Sequence, residues 1–130
     1  MATKARAKRR PETGLELALH LQMRAFRLPE PEWGYHWHPV RRWRADAAWP
    51  ERRLLLEVEG GVTPFRDKRT GELRQGRHTS ILGYEGDCEK YSEAAICGFK
   101  VIRVTRRMVD DGRAVALVER ALRATVEGAA

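Results

Sequence analysis

Leu54-Leu55-Leu56-Glu57-Val58-Glu59-Gly60-Gly61 is the stretch on which the fold turns. Six residues of this composition, stopped by a glycine pair, read as a β-strand. Successive side chains of a strand point to opposite faces, so Glu57 and Glu59 share one face and Leu54, Leu56 and Val58 the other. Two carboxylates side by side in an otherwise apolar strand repel each other and resist burial. A bound metal cation relieves both penalties. An edge strand whose glutamates simply face water avoids them, and this segment alone leaves both readings open.

Working back toward the N-terminus, strands are predicted at about residues 42–49 and 33–38, with a turn at Pro50-Glu-Arg-Arg53. In the nearer one, Trp43, Ala45, Ala47 and Trp49 alternate with Arg42, Arg44, Asp46 and Ala48. If it pairs with residues 54–59, Asp46 lies alongside the two glutamates. A helix is predicted over residues 13–26. Thr13-Gly-Leu-Glu16 has capping-box spacing, and Leu15, Ala18, Leu19, Met23 and Phe26 form the expected buried stripe.

Working forward, residues 62–83 are polar, basic and glycine-containing, the pattern of a long functional loop. A helix follows over residues 84–97, closed by Gly98. Residues 99–105 are apolar on both faces, which predicts a central strand. A last helix spans residues 112–126, with Val115, Val118, Leu122 and Val126 as its stripe. The order α-β-β-β-α-β-α makes an α/β domain with a mixed central sheet flanked by helices, over residues 13–130. Residues 1–12, with MATKARAKRR at their start, read as a basic flexible arm.

The chain has 130 residues, enough for one ordinary core. Lys and Arg outnumber Asp and Glu by 25 to 18, giving a net charge of +7. Most of the cations are arginine, whose planar fork suits phosphate, and such a surface attracts polyanions. No run approaches the roughly 20 apolar residues of a membrane span, and the basic start lacks the apolar region of a secretory signal. Cys88 and Cys97 on one helix stand too far apart to bridge. A soluble, reduced, cytoplasmic protein is expected. His20, His36 and His38 lack zinc-type spacing with these cysteines, so zinc is not expected.

Asp46, Glu57 and Glu59 together offer hard oxygen ligands, the donor set of Mg²⁺ or Mn²⁺. A metal held this way can position and deprotonate water and stabilise charge on a phosphodiester. Basic residues bracket the acids. Arg41, Arg42, Arg44, Arg52 and Arg53 crowd the approach to Asp46, while Arg66, Lys68, Arg69, Arg74 and Arg77 load the loop. Trp33, Tyr35 and Trp37 are candidates for base stacking, and Trp43 and Trp49 for the core. No element reads as a recognition helix, so contact through backbone or DNA shape is expected.

These segments, taken in order, carry a resemblance. Arg42-Trp-Arg-Ala-Asp46-Ala-Ala-Trp-Pro50, Leu56-Glu57-Val-Glu59-Gly-Gly61, Gly76-Arg-His78, Asp87-Cys-Glu-Lys90-Tyr91 and Gly98-Phe-Lys-Val-Ile-Arg103 resemble the blocks of small phage and prophage endonucleases. Those belong to the PD-(D/E)xK, or restriction-endonuclease-like, superfamily, and the likeness runs from about Glu16 to the last helix. The resemblance implies that superfamily's αβββαβ core and an endonuclease that hydrolyses DNA with Mg²⁺, Mn²⁺ substituting. Asp46 and Glu57 stand at the motif acids, both metal ligands in the family. Glu59 stands where a lysine is usual, a departure that this branch commonly shows. Lys90 is the candidate for a lysine relocated to the following helix, with Glu85 and Asp87 as supporting acids; the alternative is an exposed helix residue. Glu16 resembles an N-terminal acid that some members add to the metal site, and its cap role explains it equally well. His78, where related nucleases place a histidine by the cleaved phosphate, is an acid, a base, a phosphate ligand or an ordinary loop residue. The implied activity is a structure-selective one, Holliday-junction resolution by a homodimer acting on DNA. A nicking, restriction or mismatch endonuclease, or an inactive DNA-binding module, are the alternatives.

Overall fold

The apolar runs fold into a four-stranded mixed sheet with helices packed against it. The computed structural model describes residues 10–60, 65–66, 68–74 and 81–128. In chain order the elements are α1 (Gly14–Ala25), β1 (Glu32–His36), β2 (Arg44–Trp49), β3 (Leu54–Glu59), β4 (Phe65–Arg66), β5 (Leu73–Arg74), α2 (Ile81–Ile96), β6 (Lys100–Thr105), α3 (Arg106–Asp110) and α4 (Arg113–Gly128). Sheet order is β1-β2-β3-β6, antiparallel through β3 and parallel between β3 and β6. The parallel pair requires a crossover, which α2 supplies.

β3 divides the molecule. Leu54 and Leu56 lie on the face covered by α1, α3 and α4, in a cluster with Leu19, Met23, Trp49, Val109, Val118 and Leu122. Leu55 lies on the other face, in a smaller cluster with Trp37, Ala45, Ala94 of α2 and Phe99. Each fully buried leucine stabilises the fold by about 1.5–3 kcal/mol relative to exposure.

α1 starts as predicted. Thr13 is the N-cap and its hydroxyl oxygen accepts the Glu16 N–H at 3.0 Å. Its buried stripe is Leu15, Glu16, Leu19, His20 and Met23. Ala18 and Phe26, expected inside, are exposed, because the helix is rotated toward the Glu16–His20 edge. The 62–83 expectation is also corrected: β4 and β5 pair into a short hairpin and α2 begins at Ile81. β6 lies at the sheet edge rather than its centre. Its two apolar faces are explained by α2 packing on one side and α3 and α4 on the other, so an edge strand is still covered twice. α3 was not anticipated. It is one capped turn, with the Thr105 hydroxyl accepting the Met108 N–H at 3.3 Å, too short to show a helical stripe.

The alternation predicted for β2 fails in its middle. Trp33 pairs with Ala47 and Tyr35 with Ala45, yet Trp33 and Ala47 join the larger cluster while Tyr35 and Ala45 join the smaller. Residues two apart on a regular strand share a face. Gly34, between Trp33 and Tyr35, has φ of +64°, a conformation glycine adopts without the penalty a Cβ brings. The chain changes face there, and the residue between Ala45 and Ala47 is Asp46. Among the described residues, no helix is long and apolar enough to cross a membrane.

Candidate active site

Pairing between β2 and β3 runs from Trp49–Leu54 to Ala47–Leu56 and then stops. At the next position the Asp46 side chain replaces the ladder: its Oδ2 accepts the Val58 N–H at 2.7 Å. This pins the carboxylate at the opening between the strands. Glu57 occupies the same opening from β3 and is 7% exposed. The two carboxyls come within hydrogen-bonding reach of each other.

Lys90 arrives from α2. Its ammonium donates to Glu57 Oε1 at 2.8 Å and to the Arg44 carbonyl at 3.0 Å. Lys90 is thus partly buried rather than an exposed helix residue. Burial pushes the Glu57 carboxyl up to about 7; Lys90 opposes the rise and the neighbouring Asp46 adds to it. Two adjacent carboxyls at the edge of a core need a shared proton or a cation, and an ammonium on one of them only half-answers that need.

Glu16 approaches Asp46 from α1. It is 8% exposed, and the Thr13 hydroxyl donates to its Oε2 at 2.8 Å. Burial raises its carboxyl, the Thr13 hydrogen bond opposes this, and Asp46 raises it further. Glu16 and Asp46 line a cleft of about 100 Å³ with Arg10, Glu12, Gly34, Arg44 and Ala45. The cap position and the place beside Asp46 are compatible for Glu16, since one side chain occupies both.

Glu59 goes elsewhere. Its Oε1 receives Arg103 Nε and Nη2, both at 3.2 Å, and the Tyr91 hydroxyl at 3.4 Å. It does not hold Lys90. Arg103 stacks over the Tyr91 ring at 4.3 Å and lies 3.8 Å from Asp87 Oδ2. Burial raises the Tyr91 hydroxyl, and the Glu57 and Glu59 charges add to that. Neither Arg103 nor Tyr91 was singled out from the sequence. The available signal was a charge inside the apolar run of Lys100-Val-Ile-Arg-Val-Thr105, at the register position opposite Glu57. Glu85 is exposed on α2.

Asp46 and Glu57 at Lys90, and Glu59 and Asp87 at Arg103, make an acidic surplus within a chain of net charge +7. Donor chemistry fits Mg²⁺ or Mn²⁺: Asp46 and Glu57 are neighbouring hard carboxylates, and Glu16 lines a cleft with Asp46.

The basic residues divide. Arg41 and Arg42 are exposed at this end of β2; Arg41 donates to Glu89 at 2.8 Å and lies 4.1 Å over the Trp43 ring. Arg44 turns inward and donates to the Gly34 carbonyl at 3.0 Å. Lys68 and Arg69 are exposed between β4 and β5. Arg66 and Arg74 lie on those strands, and the Arg66 and Arg74 side chains, Arg77 and His78 lie outside the described residues. Arg52 and Arg53 do not approach Asp46. They sit at the opposite end of the hairpin, where Arg52 donates to the Leu122 carbonyl at 3.1 Å and Arg53 to that of Cys97. The turn carries them there because β2 and β3 run antiparallel. Trp33 and Trp37, expected as stacking platforms, are 6% exposed and belong to the two core clusters. Trp43 is half-buried, stacked on Trp37 at 5.8 Å, and Trp49 is core as expected.

His38, Glu93 and Cys97 also converge, their ligand atoms within 4.8 Å of one another. His38 Nδ1 accepts the N–H groups of Val40 and Arg41 at 3.1 and 2.8 Å. The neutral ring's proton therefore sits on Nε2, which donates to Glu93 Oε2 at 3.2 Å. With that nitrogen protonated the imidazole offers no lone pair to a cation, and the cluster is a strut between the β1–β2 connection and α2. Cys88 and Cys97 are free thiols.

No family model matches the chain, and neither the curated proteins nor the solved structures compared with it gave a match.

Proposed function

We propose that this protein is a Mg²⁺-dependent endodeoxyribonuclease, structure-selective in the manner of a Holliday-junction resolvase and working as a homodimer on DNA. The observation that carries the reading is the meeting of Asp46, Glu57 and Lys90 where β2 and β3 part: two carboxyls in mutual reach, one of them 2.8 Å from an ammonium. The restriction-endonuclease-like core belongs to the same proposal. It is supported by the order α1-β1-β2-β3-α2-β6 that remains once the β4–β5 hairpin is set aside, and by the sheet order β1-β2-β3-β6. The segments that resemble that superfamily supply Asp46, Glu57 and Lys90.

Asp46 and Glu57 would hold the metal, with Glu16 as a third acid. When bound, the ion supplies charge neutralisation and acidifies water. Lys90 uses two of its three donors on Glu57 and the Arg44 carbonyl, which leaves the third for the attacking water or a phosphate oxygen. Arg41, Arg42, Lys68 and Arg69, all exposed, suit the DNA backbone.

The test is cleavage of a four-way junction, a linear duplex and a mismatched duplex in Mg²⁺, Mn²⁺ or EDTA. Paired symmetric nicks confined to the junction are expected. Asp46→Ala and Glu57→Ala should each slow cutting by at least about a hundredfold. Cutting in EDTA, or undiminished in both variants, would overturn the metal-nuclease reading. Cutting of every substrate would decide for a less selective endonuclease, and salt-sensitive binding without cutting for an inactive module.

A further inference from the structure

We propose that Arg103 is the phosphate clamp of this site and that Glu59 is a stand-in for the phosphate, holding the guanidinium until DNA arrives. The inference rests on the nuclease reading above and assigns a role to the two residues that reading leaves over.

Position comes first. β6 runs parallel to β3 with Arg103 at the register of Glu57, so the guanidinium lies beside the carboxyl–lysine pair. Its side chain is 47% exposed, against 19% for Lys90 and 9% for Glu57. It is the cation at the mouth, while Lys90 is the cation at the floor. Stacking on Tyr91 at 4.3 Å holds the guanidinium plane in one orientation, which lowers the entropy lost when it captures a ligand.

The quality of the present partnership comes second. A guanidinium and a carboxylate at their best make two parallel hydrogen bonds of about 2.7–2.9 Å to two different oxygens. Here Nε and Nη2 both go to the same oxygen, Glu59 Oε1, each at 3.2 Å. The Asp87 carboxylate is farther, at 3.8 Å. Among the described residues Nη1 makes no hydrogen bond. A half-exposed pair of this geometry contributes little to stability, so the strand does not need it to stay folded. A phosphodiester presents two unesterified oxygens and matches the fork that Glu59 fills poorly. Binding it would move Arg103 from Glu59 to the phosphate and leave the Glu59 carboxylate facing the cluster.

The experiment uses the full chain with a fluorescent four-way junction in EDTA, so that affinity is read without cutting. Affinity is followed by anisotropy across a salt series. Arg103→Ala should weaken binding about tenfold and reduce the slope of log affinity on log salt by about one. Arg103→Lys should keep the slope but lose affinity, because the charge remains and the fork does not. Glu59→Gln should tighten binding, and that gain should vanish when Arg103→Ala is added. A fall in the thermal midpoint of Arg103→Ala with its salt slope unchanged would overturn the proposal, leaving Arg103 as a strut. So would a Glu59→Gln chain that binds no more tightly, a result readable even if Arg103→Ala fails to fold. Failure of the parent reading looks different: the unsubstituted chain would then bind no DNA, or bind it and not cut in Mg²⁺. Asp46-dependent cutting with an unchanged Arg103 slope would sink this inference alone.

Discussion

The two faces of β3 are made from the same six residues and do opposite things. On one, Leu54 and Leu56 are sealed under α1, α3 and α4, with Trp49, Val109 and Val118 packed around them. On the other, Leu55 alone is core, and Glu57 and Glu59 follow it into a ring of charge completed by Lys90, Tyr91 and Arg103. The first face maximises burial. The second buries a carboxyl at real cost, since desolvation drives the Glu57 group up to about 7. The lesson is a division of labour across one sheet: the larger core stabilises the fold enough for the smaller face to hold groups that, left to themselves, would unfold it.

That division can be attacked from the stable side first. Leu56→Ala, at a position with no exposure, should cost about 3 kcal/mol in urea unfolding. Cleavage per folded molecule should stay near normal. A specific loss of cleavage without loss of stability would show that the two faces are not separable.

From the other side, Lys90→Ala should slow cleavage by about a hundredfold. Junction binding in EDTA should stay largely intact. The rate profile should also move to higher pH, because the Glu57 carboxyl loses the charge that opposes its burial. Equal loss of binding and cleavage would make Lys90 a phosphate anchor instead.

The smallest effect is a pH drift in stability. The Glu57 carboxyl sits near 7 when folded against an ordinary value of 4.5, so the folded chain holds an extra proton between those limits. Stability without metal should therefore decline as pH rises from about 4.5 to 7 and level off above. Thermal unfolding across that window should show the decline, and Glu57→Gln should flatten it. A stability that instead rises with pH over the window would mean that Lys90 outweighs burial.

Much of the site was legible because it depends on local pattern. β3 is bounded as its composition dictates, and alternation alone put Glu57 and Glu59 on the face away from Leu54 and Leu56. Thr13-x-x-Glu16 gave the start of α1 because a cap is made by residues three apart. The errors arose where distant segments decide. Period alone cannot show that Gly34 switches the face of its strand, so the side predicted for Ala45 relative to Ala47 was wrong. Arg52 and Arg53 were placed near Asp46 because they are close in sequence, whereas a hairpin puts its turn at the far end from the start of its first strand.

The sequence by itself determined the strand of three leucines and two glutamates, the acids worth watching, and an α/β order with one lysine on the following helix. These follow from periodicity and from side-chain chemistry, which need no partner to be read. Only the tertiary structure decided that pairing between β2 and β3 ends at Ala47–Leu56, so that Asp46 and Glu57 meet in the opening. It also decided that Lys90 serves Glu57 while Glu59 is taken by Arg103. Which cation reaches which acid depends on how a helix and a parallel strand, separated by tens of residues, are laid across the same sheet, and no local rule carries that information.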